Sequence, residues 1–470
     1  MIIESLQKLE MIQGLSVAVY TPSGVYARGF GVTDIETGEL STADTAFYIA
    51  SSTKSMVALA LATLHERGEI DLDMTLEKFA PDAPFPEGVN PDQVSLRQLL
   101  SQSSGLLNEP IEHRLAYSGQ HNSDLLWDLL SVTQPNTDNP VGSFEYTNSN
   151  YNILTLLLEK RFHRSWKEIV ADEIFIKAGM TRTTAEISKA VEENWSLARP
   201  HATLGPNTPK RTYLQKTNAT MHSAGGVVMS AKDAVKWLEI LVENGKIEGR
   251  QVVPENAVKA SRNPQVSVGK SFGPYKRDHY ALGWYTGGYG AQEHRLVHHF
   301  GSFSGSRAHV SYMPEEKIGV AVFVNDGEVG FRYVDILANY IYDKLTANPD
   351  AQMRYEKSAE KLASQVAIQE ARIAKQTNDM AQRKWALSND FSHYAGTYEN
   401  TEYGSFIVSV NGENISFTMG NLHATASATD KPESVRVELV PGSGEIIDFN
   451  LDAEDVVESL TYSGTIFKKL

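Results

Sequence analysis

The chain changes its period of hydrophobic and polar residues several times, and each change predicts an element. Leu15-Ser16-Val17-Ala18-Val19-Tyr20 and Val25-Tyr26-Ala27-Arg28-Gly29-Phe30 flank the turn Thr21-Pro22-Ser23-Gly24, the pattern of a β-hairpin. From Ser51 to Arg67 the period becomes helical: Met56, Leu59, Ala60, Ala62 and Leu64 are the apolar positions and Gly68 a C-cap. Between about 70 and 220, helical and loop signals alternate, including a helical run at 151–161. A further amphipathic helix is predicted at 234–243, ended by Asn244-Gly245. Strand character returns at 281–285, 307–313 and 319–324, and a helix near 331–344 follows. Early strands, a helical middle and late strands predict one α/β domain whose sheet is drawn from both ends of a long segment.

Two more segments follow. Residues 351–384 hold neither Gly nor Pro and read as one long helix rich in Ala, Gln, Lys and Glu. Beyond 390 the pattern is all β. Strands at 406–410 and 415–419 flank the hairpin signal Asn411-Gly412-Glu413-Asn414, and further strands are predicted at 435–439 and 446–451. The expected organisation is therefore a domain over 1–345 with a helical subdomain within about 70–220, a helical linker over 346–389 and a β-barrel over 390–470.

Composition narrows the chemistry. A length of 470 residues suits two or three domains, and 41% hydrophobic with 21% charged residues describes a folded chain. There is no cysteine, which excludes disulfides, thiolate catalysis, zinc ribbons and iron–sulfur clusters. The net charge is −15 without a basic run, which speaks against nucleic acid or an anionic membrane surface as partner. The tail over 390–470 holds 13 acidic and 4 basic residues, so a balance of −9 sits in the β segment. No stretch approaches the ~18–20 apolar residues of a spanning helix. The start Met1-Ile2-Ile3-Glu4-Ser5 lacks the pattern of a signal peptide, which leaves a cytoplasmic location open.

Candidate nucleophiles are hydroxyls. Gly269-Lys270-Ser271-Phe272-Gly273 matches the elbow Gly-x-Ser-x-Gly, but Pro274 follows at once and no helix can start where the elbow requires one. Ser-x-x-Lys occurs at Ser5/Lys8, Ser51/Lys54, Ser267/Lys270 and Ser358/Lys361. Only Ser51 opens a strongly apolar helix, where Lys54 shares its face. A lysine there with a lowered pKa can take the serine proton, and the helix N-terminus adds N–H groups for an oxyanion. An N-capping serine beside a surface lysine fits the same pattern. Tyr146-x-Asn148 places a phenol and an amide at a loop–helix junction, as proton carrier and substrate holder or as a staple and cap. His298-His299 stands before a Gly/Ser-rich turn. No other His or Asp cluster is in register for a metal, so neither a metal nor a cofactor is expected.

These elements in this order resemble the serine β-lactamase-like, penicillin-binding superfamily. The nearest group in pattern comprises class C β-lactamases, D-alanyl-D-alanine carboxypeptidases, D-aminopeptidases and esterases. The likeness covers about residues 10–345. Leu99-Leu100-Ser101-Gln102-Ser103-Ser104-Gly105-Leu106 is similar to that group's LLSHTSGL, with Gln102 in place of His; Ala224-Gly225-Gly226 and Tyr280-Ala281-Leu282-Gly283-Trp284 are similar to two further segments. The resemblance implies an antiparallel sheet flanked by helices with an all-helical subdomain. It implies Ser51 as the acylated nucleophile, Lys54 as its base, Tyr146 sharing proton transfer and Asn148 orienting the substrate. His299-Phe300-Gly301 would occupy the place of Lys-Thr-Gly in substrate binding, with the Ser51 and Ser302 amides as oxyanion hole. Histidine at 299, largely neutral near pH 7, resembles the peptidases and esterases more than penicillin-hydrolysing members. Tyr394-Ala395-Gly396-Thr397-Tyr398 resembles the opening of a lipocalin-like barrel, which serves stability, oligomerisation or approach to the cleft. The implied function is a serine peptidase or amidase acting on a small molecule or short peptide, with weak or absent β-lactamase activity; a carboxylesterase or a non-catalytic penicillin-binding-like protein are the alternatives. The resemblance also suggests an exported, periplasmic or extracellular protein.

Overall fold

The structure, a computed structural model, describes residues 12–205 and 208–470. Met1–Ser5 and the Ser5/Lys8 pair lie outside the described residues. The first hairpin forms from β1 (Gly14–Thr21) and β2 (Gly24–Gly31), closed at Pro22-Ser23. Three principal helices follow: α1 (Thr53–Glu66), α2 (Ser149–Phe162) and α3 (Ala231–Val242). Then come β3 (Val266–Phe272), β4 (Tyr275–Tyr280), β5 (Tyr285–Tyr289), β6 (His294–Phe303), β7 (Ser306–Met313) and β8 (Ile318–Val324). The helices α4 (Gly330–Leu345) and α5 (Ala351–Ala381) complete this part.

The eight strands form one antiparallel sheet in the order β3-β4-β5-β6-β7-β8-β1-β2, so its two ends in sequence meet where Leu15 of β1 pairs Val324 of β8. The apolar run of β8 is continuous because helices cover both faces. Alternate residues diverge. Ala321 and Phe323 join the core shared with α1 and α3, and Val320, Val322 and Val324 join the core under α4 with Tyr333 and Leu337. The 70–220 region wraps short helices around α2 and carries two-residue strand pairs between them.

One predicted strand is instead a turn. Residues 281–284 connect β4 to β5, and strand pairing begins only at Tyr285. Gly283 has φ +75°, and a Cβ on it would lie 2.7 Å from the Lys54 carbonyl oxygen, so the turn presses on the first turn of α1. Its apolar residues reflect burial of that turn, with Trp284 stacked on Trp237 at 6.4 Å.

Helix α5 buries Ala351, Tyr355, Leu362 and Val366 along α4 and leaves much of its remaining surface polar and exposed. The C-terminal strands form a nine-stranded, nearly closed antiparallel barrel. Its interior is filled by Tyr398, Phe406, Phe417, Phe449 and Phe467. Among the described residues no helix is long and apolar enough to cross a membrane.

Candidate active site

Ser51 lies in a 3-10 turn over Ala50–Ser52 that runs directly into α1. The residue before it, Ala50, has φ +44°, a left-handed conformation that non-glycine residues hold only when packing enforces it. Two contacts enforce it here. Ser52 Oγ donates to the His299 carbonyl at 2.9 Å. Gly301 faces the same turn so closely that a Cβ there would lie 2.0 Å from the Ile49 carbonyl oxygen. Strand β6 is thereby held against the Ser51 turn. Gly301→Ala is expected to destabilise the fold by about 3 kcal/mol and to displace β6 from that turn, measured by denaturant unfolding and by loss of Ser51 labelling.

Lys54 is fully buried in the first turn of α1. Its Nζ is 3.3 Å from Ser51 Oγ, 2.7 Å from Asn148 Oδ1 and 2.8 Å from the Ala224 carbonyl oxygen. Burial lowers its pKa to about 7. A neutral amine has two N–H bonds, which suffice for Asn148 and Ala224, and its lone pair then faces the Ser51 hydroxyl. The Ala224-Gly225-Gly226 segment supplies the backbone that orients the amine. Its glycines permit close packing: Gly226 sits against the His222 backbone, and the Gly225 carbonyl accepts from Tyr48.

The Tyr146 ring lies against Lys54, whose Nζ stands 4.9 Å from its ring centre, and Ser51 is among the groups that act on its hydroxyl. Burial raises the phenol's pKa far above its ordinary value, so it stays protonated. The loop that carries Tyr146 is held from both sides. The Gln102 carbonyl accepts from Glu145 N at 2.9 Å, while its side chain donates to Thr147 O at 2.9 Å and accepts from Thr147 N and Asn150 Nδ2. Glu112 Oε1 accepts from Thr147 Oγ1, Ser149 N and Ser149 Oγ, capping the start of α2. Gln102→Leu removes the side-chain clamp but keeps its backbone bond. It is expected to lower kcat/KM by about 10- to 100-fold through a misplaced Tyr146, measured with steady-state kinetics.

His299 is buried beside Tyr146, ring centres 5.8 Å apart. Its Nδ1 lies 2.9 Å from the Phe300 carbonyl and must donate to it; Nε2 then accepts from Tyr280 OH at 3.1 Å. Burial keeps the ring neutral. Both nitrogens are engaged within the protein, so a direct polar contact between His299 and a substrate would require one of these bonds to break. Ser302, at the exposed end of β6, opens onto a cavity of about 330 Å³. Its walls are Tyr117, Phe303 and Glu328 together with the barrel loop Val440-Pro441-Gly442-Ser443. The barrel is fastened there by Arg114 donating to the Thr401 carbonyl at 2.9 Å, by Ser405 N donating to Gln120 Oε1 at 2.9 Å, and by Tyr213 donating to the Leu439 carbonyl.

The structure thus brings Ser51, Lys54, Tyr146 and Asn148 into one cluster at the end of β6, with Gly301 and Ser302 beside it. A family model described as Beta-lactamase matches residues 2–340. The chain belongs to the beta-lactamase family. It is similar to Protein flp of Staphylococcus aureus (strain MW2), 22% identical over 318 residues that cover 67% of this chain and 60% of that protein. It is also similar to the Putative penicillin-binding protein PbpX of Bacillus subtilis (strain 168), 26% identical over 273 residues, 58% of this chain and 62% of that one. The match therefore spans less than two thirds of those relatives' length. Among solved structures, the octameric penicillin-binding protein homologue from Pyrococcus abyssi aligns with a TM-score of 0.59 at 21% identity, covering 100% of this chain and 98% of that one. The D-amino acid amidase from Ochrobactrum anthropi SV3 aligns at 0.56 and 18% identity, covering 77% and 99%. The fold is that of the beta-lactamase family.

Sequence reasoning missed Glu112, the Tyr280–His299 pair and the barrel loop at the cavity. Glu112 is a single acidic residue with no spacing signal, and the other two are contacts between distant segments.

Proposed function

We propose that the chain is an amidase or peptidase that cleaves small amide substrates through an acyl-enzyme on Ser51. The observation that carries the reading is the Lys54 amine, buried, lowered toward neutrality and aimed at Ser51 Oγ. Lys54 takes the Ser51 proton as Oγ bonds to the substrate carbonyl carbon. The Ser51 and Ser302 amides receive the developing oxyanion. When the carbon–nitrogen bond breaks, the proton passes from Lys54 through the Tyr146 hydroxyl to the leaving amine. Water then attacks the ester, its proton returns to Lys54, and Ser51 departs as the hydroxyl.

Asn148 commits its Oδ1 to Lys54 and leaves its NH₂ to hold the substrate carbonyl. His299 acts behind Tyr146, through Tyr280, and Gly301 gives β6 its close approach. The neutral His299 supplies no permanent cation for a penicillin carboxylate, which supports amides over β-lactams. Similar structures include a D-amino acid amidase and a D-stereospecific amidohydrolase, and this supports D-amino-acyl amides as the class. The barrel loop over 440–443 borders, with Ser302, the cavity of about 330 Å³ beside the site. In this reading residues 1–345 are catalytic, 346–389 connect, and 390–470 form a barrel that shapes the cleft. A similar protein is octameric, and that this chain assembles through its barrel is a separate proposal that a monomer mass in light scattering would remove.

The test compares p-nitroanilides of D- and L-amino acids with p-nitrophenyl esters. Turnover of D-amino-acyl anilides is expected. Turnover of esters alone would make the protein a carboxylesterase, and turnover of neither would refute the hydrolase reading.

A further inference from the structure

A second lysine stands beside the cleft and takes no part in the chemistry above. Lys216 places its Nζ 3.7 Å from the ring centre of Phe303, 5.4 Å from that of Tyr48 and 6.0 Å from that of Tyr117. It donates one hydrogen bond, to the Ala116 carbonyl at 2.7 Å. Among the described residues no carboxylate pairs with it. An ammonium group has three N–H bonds, so two are uncommitted. In a chain of net charge −15 this amine has no carboxylate beside it among the described residues. Burial drives the amine well below its ordinary pKa, and a countercharge arriving with a ligand would reverse that.

Its position relative to Ser51 gives the site a direction. Phe303 follows Ser302 directly on β6, while His299 and the Tyr146 ring mark the other end of the same strand segment. Four residues of strand separate these ends by about 13 Å. In the hydrolase reading Tyr146 meets the leaving amine, which assigns the Phe303 end to the acyl portion of a substrate. A small cavity there, about 50 Å³, has largely apolar walls into which Lys216, Arg199, Gln215 and Ser304 bring polar groups, and Arg199 donates to Gln215 Oε1 at 3.0 Å. The Lys216 amine, the Arg199 guanidinium and two aromatic rings (Tyr48 and Phe303) border that space, and an arriving carboxylate would restore the amine's charge.

We infer that Lys216 recognises a carboxylate carried on the acyl portion of the substrate, so that the preferred substrates are amides of acidic acyl groups, such as glutamyl amides. The inference rests on the hydrolase reading and adds the substrate's charge to it. Glutamic acid and glutamine p-nitroanilides differ only in that charge and test it directly, using the enantiomer that the wild type cleaves faster. The wild type is expected to favour the glutamyl substrate in kcat/KM by about 10- to 100-fold, the range of one charge-assisted contact. Lys216→Met and Lys216→Gln should each bring the ratio to about one, and Lys216→Arg should keep a preference. Labelling of Ser51 by a fluorophosphonate, run on every variant, reports whether the site has formed. A labelled wild type that shows no glutamyl preference or cleaves neither substrate overturns the inference alone, as does a preference that survives in a labelled Lys216→Met or Lys216→Gln enzyme. A wild type that does not label overturns the hydrolase reading beneath it.

Discussion

Lys54→Met is expected to lower the rate of Ser51 acylation by about 10³- to 10⁴-fold, measured by stopped-flow or timed labelling. The substitution keeps a side chain of similar length and removes the lone pair that receives the serine proton. The wild-type pH profile should carry the same signature. With the Lys54 pKa near 7, kcat/KM is expected to fall by about tenfold per unit as pH drops below that value, because the protonated amine has no lone pair to offer. Above it the profile should level off, since the Tyr146 phenol remains protonated through the alkaline range. Stability separates chemistry from unfolding in this variant. Removing a buried, partly charged amine relieves its desolvation, while orphaning Asn148 Oδ1 and the Ala224 carbonyl costs hydrogen bonds, so the two effects oppose each other. A large loss of activity with a nearly unchanged unfolding temperature would locate the defect in proton transfer.

Ser51→Ala is expected to abolish the covalent intermediate and to cost about 10⁴-fold or more in kcat, leaving only what binding and the oxyanion donors provide. Its effect should not add to that of Lys54→Met, because the two residues carry one step. The double variant should therefore match Ser51→Ala. Structure around the site should persist, since Ser51 is partly exposed and the turn is held by Ser52, His299 and Gly301 instead.

The parts of this site that were legible in the sequence are those governed by short-range geometry. Ser51 and Lys54 sit three residues apart on a helix, and Tyr146-x-Asn148 sits at a helix start, so their proximity within each pair follows from the backbone. Their meeting across 94 residues does not follow from spacing, and it was reached by the resemblance of several ordered segments. The Lys216 ammonium and Glu112 had no such pattern around them. Gln102 was visible only as a departure from a familiar segment, and its clamp on the Tyr146 loop emerged from hydrogen bonds to Thr147 and Asn150. In the sheet, long alternating strands such as β1 and β7 were readable, whereas the buried turn at 281–284 imitated a strand because burial alone set its composition. The barrel shows the same division. Gly404–Asn411 and Asn414–Met419 announce themselves by the Asn-Gly turn between them, while Leu422–Thr425 is four residues long and Thr465–Lys469 carries two lysines.

The claim at the centre of this account is that Ser51 becomes acylated. Mass spectrometry of the wild-type protein after reaction with a fluorophosphonate, followed by peptide mapping, measures this directly. The account predicts one adduct, on the peptide containing Ser51, formed faster as pH rises through about 7 and absent from Ser51→Ala. An adduct on any other residue, or an unmodified protein at every pH, would contradict it.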